Sequence, residues 1–157
     1  KKSIKYYQTN NDDKADIIEK RIMSDDLYSG WGIRTLSCKC PAYDPISYHN
    51  GSVWTHDSAF IACGLSKQSM SKITKSLFEA ANLFHNNRLP ELFGGFQRKP
   101  EDTFIQEYPE ACSPQAWTCG SLIWLLIKLT GLQNNNGQYI FQNPYIPDWI
   151  TRISFQK

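Results

Sequence analysis

The composition of the 157-residue chain is that of one ordinary globular domain, because 41% of its residues are hydrophobic and 20% are charged. Its 17 basic and 15 acidic side chains are scattered along the sequence and give a net charge of +2, so no nucleic-acid partner is expected. The most apolar run, residues 122–129, contains Lys128 and is much shorter than the ~20 residues of a membrane span, so no membrane association is expected.

A first helix is predicted at residues 12–23, where Ala15, Ile18 and Ile22 lie on one face. Two aspartates stand near its start, where the helix macrodipole favours negative charge. The residues that follow, 24–40, have no helical or strand period and are expected to be irregular.

Within this irregular segment, residues 28–35 alternate glycine with large side chains. Glycines on both sides of Trp31 allow a tight backbone path that holds the indole rigidly, and Arg34 adds a forked hydrogen-bond donor beside it. Rings together with donors suit a sugar ligand. An equally weighted alternative is that Trp31 fills the core while Arg34 pairs with Asp25 or Asp26.

The stretch from Tyr48 to Asp57 carries two aromatic rings, two imidazoles, an amide and a carboxylate. A second helix is predicted to start at Ser52, which can cap it, so His56 and Asp57 would lie in its first turns. One alternative is that this pair only satisfies backbone donors. With the rings of Tyr48 and Trp54 alongside, a ligand-binding role is favoured.

The clearest helix is predicted at residues 69–86, because apolar side chains recur there at three- and four-residue spacing. A last helix is opened by Ser113-Pro114-Gln115 and closed by Gly131. Apolar residues cover nearly its whole circumference, so we expect other elements to surround it on most sides.

Glu91 follows a proline and precedes a Gly-Gly pair in the long connection formed by residues 88–111. Connections of this length in compact domains are usually functional or disordered, and the aromatic content here favours order. Glu91 is therefore the candidate catalytic carboxylate. The alternative is that it is the salt-bridge partner of Arg88 or Arg98.

The end of the chain is expected to form an Asn-rich turn at residues 133–137 and then short strands. The strands are predicted at residues 139–141, 149–150 and 153–155. This pattern predicts a helical region, residues 1–133, followed by a β segment, residues 134–157.

The five cysteines are an odd number, and Cys38 and Cys40 are too close in sequence for an ordinary disulfide with each other. No signal peptide is recognisable, so we expect reduced thiols and a cytoplasmic location. A zinc site would need a second pair of ligands at suitable spacing, which Cys112 and Cys119 do not supply. No metal or other cofactor is expected.

Four motifs occur together in this sequence, and their order and spacing carry a family resemblance. They are SGWGIRTLS at 29–37, YHNGSVW with His56-Asp57 at 48–57, RLPELF at 88–93 and ACSPQAW at 111–117. From residue 12 onward, the chain resembles the C-terminal part of bacterial amylo-α-1,6-glucosidases, the glycogen-debranching-like proteins. The resemblance implies a mainly α fold, namely the last helices of an (α/α)6 toroid closed by a short β segment.

The resemblance further implies an inverting glycoside hydrolase that acts on an α-glucan or a related oligosaccharide. Such enzymes use a general acid and a general base whose carboxyl groups lie roughly 6.5–9.5 Å apart. Glu91 matches the position of the base. No residue of this chain matches the acid, which is expected upstream, so the chain would hold half of the catalytic pair.

Other motif residues carry over from the resemblance as sugar contacts. Trp31 and Trp54 would be stacking platforms, and Trp117 would line the pocket from below. The hydroxyl partners would be Arg34, His49, Asn50, His56, Asp57 and Gln115.

Two further functions stay open beside that of a glycosidase fragment: a sugar-binding module without turnover, and a self-associating fragment without catalysis. A partial toroid leaves apolar faces uncovered. We therefore expect either a homo-oligomer or a missing N-terminal portion.

Overall fold

The computed structural model describes residues 12–154, and within them the regular structure is mainly α-helical. The helices are α1 (Asp12–Ile22), α2 (Thr55–Cys63), α3 (Lys67–Ala81) and α4 (Ala116–Thr130), with a 3₁₀ turn at His85–Asn87. The strands form two antiparallel pairs, β1 (Val53–Trp54) with β2 (Leu92–Phe93) and β3 (Leu132–Asn135) with β4 (Gln138–Phe141).

Helices α2, α3 and α4 pack against one another around the main core. Ala59 of α2, Leu77 of α3 and Leu125 of α4 are completely buried there. Each CH₂ group buried in such a core contributes about 0.8 kcal/mol to folding. The predicted apolar periodicity of residues 69–86 is therefore confirmed as the inward face of α3, although the helix itself starts at Lys67 and ends at Ala81.

The first and last predicted helices are also confirmed as α1 and α4. The predicted start of the last helix is wrong, because α4 begins at Ala116 with Gln115 as its N-cap, so Ser113 does not cap it and Pro114 lies before it. Gly131 ends α4 in the left-handed conformation, with φ of 70°, and its N–H group donates to the Ile127 carbonyl oxygen. A side chain at Gly131 would meet the Gln142 carbonyl oxygen at 2.1 Å, so the same glycine lets the β3–β4 hairpin start close to the helix end.

Helix α4 is not surrounded on most sides, contrary to the expectation from its sequence. Trp117 is 59% exposed and Ile123 is 63% exposed, while Ile127 on the same side is also exposed. An added side chain at Gly120 would meet no atom within 4 Å. The apolar residues of α4 thus divide into a buried face and an uncovered face.

The second predicted helix starts three residues later than expected. Val53 and Trp54 pair with β2, so the chain is extended until Thr55. The Ser52 hydroxyl donates to the Tyr48 carbonyl oxygen at 2.9 Å instead of capping the helix.

The β segment at the end of the chain is shorter than predicted. The strand at residues 139–141 is confirmed as part of β4, but residues 133–135 belong to β3 rather than to a turn. The strand predicted at 149–150 is wrong, because these residues lie in and just after a turn, and Trp149 donates from its indole to the Ser71 hydroxyl at 3.0 Å. Residues 153–154 are irregular, and residue 155 lies outside the described part of the chain.

A ladder of short antiparallel pairings connects the loops that precede and follow the helices. Ile33 bridges to Tyr28, Arg34 bridges to Val53, Val53 pairs with Phe93, and Phe93 bridges to Glu107. The ladder therefore aligns segments that are far apart in sequence, and it holds the connection of residues 88–111 in place.

Two backbone segments cross very closely at this ladder. An ideal Cβ atom at Gly95 would lie 1.7 Å from the Gly51 carbonyl oxygen. The Gly95 carbonyl oxygen accepts hydrogen bonds from Arg34 Nε at 2.6 Å and from the Tyr43 hydroxyl at 2.8 Å. Only glycine at position 95 permits this crossing.

Asp26 connects the end of α1 to the following loop. Its buried carboxylate accepts hydrogen bonds from Arg21 at 2.9 Å and from the hydroxyls of Ser24 and Ser37. The hydrogen bonds from Arg21 are the largest reason that the pKa of Asp26 is far below its ordinary value.

None of the helices in residues 12–154 is both long enough and apolar enough to span a membrane.

We expect Asp26→Asn to lower the melting temperature at pH 7, because the carboxylate loses its charged hydrogen bonds. A carboxyl group with a lowered folded-state pKa stabilises the protein above its unfolded pKa, about 3.9, and this contribution disappears as pH falls toward the folded-state value. The difference in melting temperature between wild type and variant should therefore shrink below about pH 4. Asp25→Asn is the matched control, since Asp25 is exposed; an equal effect of both variants would contradict the assignment.

We expect Gly95→Ala to destabilise the fold by about 3 kcal/mol, because the new methyl group overlaps the Gly51 backbone. Gly120→Ala is the matched control and should stabilise the chain by about 1 kcal/mol, since alanine is the better helix former and the space is open. Chemical denaturation of both variants measures the difference. Equal free energies of unfolding would contradict the close crossing.

Candidate active site

The ladder fixes the position of Glu91 at the start of β2. The Glu91 carbonyl oxygen accepts from the Thr55 N–H group at 3.4 Å, and the Glu91 N–H group donates to the Cys112 carbonyl oxygen at 2.9 Å. Backbone contacts on both sides thus hold this residue between the start of α2 and the segment that leads into α4.

Glu91 is half-buried, and its carboxylate contacts a tyrosine. The Tyr48 hydroxyl donates to Glu91 Oε1 at 3.1 Å. The pKa of Tyr48 is above its ordinary value. Burial is the largest cause, and the hydrogen bond to the Glu91 carboxylate is the next. Tyr48 therefore stays protonated at neutral pH and remains a donor to the carboxylate.

Rings surround this pair. The Tyr48 ring meets the ring of Trp54 edge-on at a centroid distance of 4.7 Å and the ring of His49 at 4.6 Å, and it lies 5.6 Å from the ring of Tyr108. Trp54 and His49 are parallel to within 6° at 5.5 Å. The indole N–H of Trp54 donates to the Tyr48 carbonyl oxygen at 2.8 Å, which fixes the indole orientation.

The rings continue along the start of α2 toward α4. The His56 ring lies 5.6 Å from that of Trp54 and stacks on Trp117 at 4.2 Å, with 17° between the planes. We call this series of contacts the aromatic row; its members are Tyr108, Tyr48, His49, Trp54, His56 and Trp117.

His56 is the most buried polar member of the aromatic row. Its exposure is 7%, and its Nδ1 atom has no hydrogen-bond partner within the described residues. Its Nε2 atom lies 3.4 Å from a carboxylate oxygen of Asp57, whose side chain is exposed. Nδ1 of His56 is therefore a buried polar atom without a hydrogen-bond partner in residues 12–154.

Asn50 and Gln115 lie at the ends of loops that enter this region. Asn50 is exposed, and its carbonyl oxygen accepts from the Asp44 N–H group at 2.8 Å. Gln115 precedes α4, and its side-chain oxygen accepts from the Thr118 hydroxyl at 3.0 Å. The amide group of Asn50 has no hydrogen bond to other described residues, whereas the side-chain oxygen of Gln115 is already engaged.

Arg34 and Trp31 lie apart from the aromatic row. The guanidinium of Arg34 is buried and donates to Gly95, to the Asp25 carbonyl oxygen at 2.8 Å and to the Gln97 side chain at 3.0 Å. The alternative to a sugar contact was that Arg34 pairs with Asp25 or Asp26. Arg34 does contact Asp25, but it donates to the backbone carbonyl oxygen and not to the carboxylate. Trp31 is only 5% exposed and belongs to the core, which agrees with the alternative that this indole fills the core.

The salt-bridge alternative for Glu91 is not observed in the described part of the chain. Arg98 pairs with Glu79 and lies over the Trp31 ring at 4.1 Å, while Arg88 is exposed. The tyrosine contact of Glu91 was missed by the sequence analysis. The position of Tyr108 beside Tyr48 was also missed. The only signal for it in the sequence was the expectation that residues 88–111 are ordered.

Residues 12–154 contain no cluster of three or more cysteine, histidine, aspartate or glutamate side chains that could hold a metal ion. All five cysteines are unpaired. The side chains that the described region offers are the carboxylates of Glu91 and Asp57, the phenols of Tyr48 and Tyr108, imidazoles and indoles.

Glu91→Gln removes the negative charge beside Tyr48, so we expect the pKa of Tyr48 to fall toward its ordinary value. Burial, the larger cause, remains, so the pKa should stay somewhat raised. NMR titration of ¹³Cζ-labelled tyrosine measures the change. Glu110→Gln, an exposed change in the same connection, is the control; an unchanged midpoint for Tyr48 in Glu91→Gln would contradict the contact.

Comparison of the sequence with protein-family models gives no match, and comparison with curated proteins gives none either.

Proposed function

We propose that this chain supplies the general base and part of the sugar-binding cleft of an inverting glycoside hydrolase acting on α-glucan or a related oligosaccharide. The general base is Glu91, and the cleft is the aromatic row. The observation that carries the proposal is the carboxylate of half-buried Glu91, which accepts from Tyr48 beside the rings of Trp54 and Tyr108.

The chemical environment of Glu91 suits a base. A general base must be ionised and must reach a water molecule. No arginine or lysine side chain forms an ion pair with Glu91 in residues 12–154, and its single side-chain bond, from Tyr48, occupies only Oε1. The second carboxylate oxygen remains to accept a proton from water during attack on the anomeric carbon.

The aromatic row suits a pyranose ring. Sugars present C–H groups on their faces and hydroxyls at their edges, so flat rings beside imidazole and amide groups complement both. Trp54 and Trp117 supply the flat rings of this proposal. His49, Asn50, His56 and Asp57 supply the polar partners.

The general acid would come from polypeptide that packs against the chain. The uncovered face of α4, with Ile123 and Ile127, is where additional helices of a toroid, or a second copy of the chain, would pack. In this proposal α2, α3 and α4 are late helices of an (α/α)6 toroid. The unpaired state of all five cysteines supports a cytoplasmic location, where thiols stay reduced.

A substrate that needs no general acid tests the base alone. In α-glucosyl fluoride, water attacks the anomeric carbon, the carbon–fluorine bond breaks, fluoride leaves without a proton, and Glu91 takes the proton of the water. We expect the chain to release fluoride faster than buffer does and to give the β-anomer of glucose. Glu91→Gln should lower the rate by about 10²- to 10⁴-fold, the usual contribution of a general base.

The matched control for this assay is Glu110→Gln, an exposed carboxylate change that should keep the wild-type rate. Equal rates for Glu91→Gln and wild type would overturn the role of Glu91. Binding of maltotriose that depends on Trp54, without any fluoride release, would overturn turnover and support a sugar-binding module instead.

A further inference from the structure

A cavity of about 430 Å³ opens beyond the far end of β2 from Glu91. Its volume lies within the range of roughly 300–1,000 Å³ that is usual for small-molecule sites. Neither Glu91 nor any member of the aromatic row lines it. The lining residues that matter here are Trp31, Gly94, Phe96, Gln97, Phe104 and Gln106.

Strand β2 connects Glu91, which precedes it, to Gly94, which follows it and lines the cavity. Gly94 lies three residues after Glu91, and an extended chain rises about 3.3 Å per residue, so the two places are about 10 Å apart along the backbone. The Gly94 N–H group donates to the Gln106 carbonyl oxygen at 2.7 Å, which joins the two walls of the cavity.

Aromatic rings form the apolar part of the lining. Trp31 is a rigid base, because it is buried and has the Arg98 guanidinium over its ring. Phe96 is 46% exposed and Phe104 is 69% exposed. Two such exposed rings contribute little to the stability of the folded monomer. A ligand that covers them would remove their apolar surface from water, which favours binding.

Amide groups form the polar part. Gln97 uses its side-chain oxygen to accept from Arg34, so its NH₂ group remains as a fixed donor. Gln106 uses its NH₂ group to donate to the Glu107 carbonyl oxygen at 3.1 Å, so its side-chain oxygen remains as an acceptor. The cavity thus offers one amide donor and one amide acceptor.

The charged residues of the lining balance each other. Lys99 and Asp102 both line the cavity. The Asp102 carboxylate accepts from the backbone N–H group of Lys99 at 2.7 Å. One cation and one anion give no preference for a strongly charged ligand. Aromatic faces, neutral amides and zero net charge together fit an uncharged ring with hydroxyl groups.

Gly94 lets Gln106 and Phe96, which belong to two walls of the cavity, approach the backbone closely. An added Cβ atom there would lie 3.1 Å from Gln106 Cβ and 3.2 Å from Phe96 Cδ2, so any side chain would push against both walls.

We propose that this cavity is a second sugar site, which binds one neutral pyranose ring of an oligosaccharide between Phe96 and Phe104. The choice of an α-linked sugar rests on the proposed function, because one glucan could then occupy both the aromatic row and this cavity. The cavity binds and does not catalyse, since it holds no part of the Glu91 site.

Maltotriose titration with NMR detection tests this site. We expect the side-chain NH₂ signals of Gln97 and Gln106 to shift on binding, in wild type and also in Trp54→Ala. Phe104→Ala should weaken this response about three- to tenfold, the range expected for one aromatic contact. Phe141→Ala is the matched control, because Phe141 is another exposed phenylalanine but lies on the β3–β4 hairpin, away from the lining of the cavity.

The outcomes separate this site from the Glu91 site. Shifts at Trp54 and Tyr48 without shifts at Gln97 and Gln106 would overturn the second sugar site and leave the proposed function in place. Shifts at the two glutamines alone would support the second site and count against sugar binding at Glu91. Equal binding of cyclohexanol, a ring without the sugar's set of hydroxyls, would overturn the assignment of the ligand class.

Discussion

The structure depends on the contact between the Gly95 backbone and the Gly51 backbone. This crossing brings two distant loops so close that no side chain fits, and Arg34 and Tyr43 secure it by donating to the Gly95 carbonyl oxygen. Because β2 ends just before Gly95, the crossing also fixes Glu91 at the other end of that strand. A buried arginine that binds backbone carbonyls is therefore part of the support of the site.

The same arrangement explains how a chain with short strands can hold the long connection of residues 88–111 in an ordered conformation. Two-residue strands are marginal by themselves. Here the ladder from Tyr28 to Glu107 adds three isolated bridges to the β1–β2 pair, and its central residues Val53 and Phe93 are completely buried. The aromatic row then packs along one end of the ladder, where the rings of Tyr48 and Trp54 are locked by hydrogen bonds to backbone and carboxylate.

Features with local causes could be predicted from the sequence. The buried face of α3 follows from apolar spacing, and the end of α4 follows from Gly131, because both signals lie within a few residues. The concentration of rings and imidazoles between Tyr48 and Asp57 is also visible in the sequence, and its role as a binding site stays a prediction.

Features set by distant contacts could not be predicted in this way. The start of α2 is delayed because Val53 and Trp54 pair with a strand about forty residues away. Arg34 resembles a ligand-binding donor in sequence, but its partners Gly95 and Gln97 are more than sixty residues distant. The uncovered face of α4 was missed for a related reason: apolar periodicity shows which residues avoid water, and it does not show which part of the chain covers them.

The central claim is that the Glu91 carboxylate faces a sugar held by the aromatic row. A crystal structure of the chain with bound maltotriose tests it most directly. The account predicts a glucosyl ring stacked on Trp54, with a water molecule within about 3 Å of Glu91 and directed at the anomeric carbon. A sugar bound elsewhere, with Glu91 remote from it, would contradict the account.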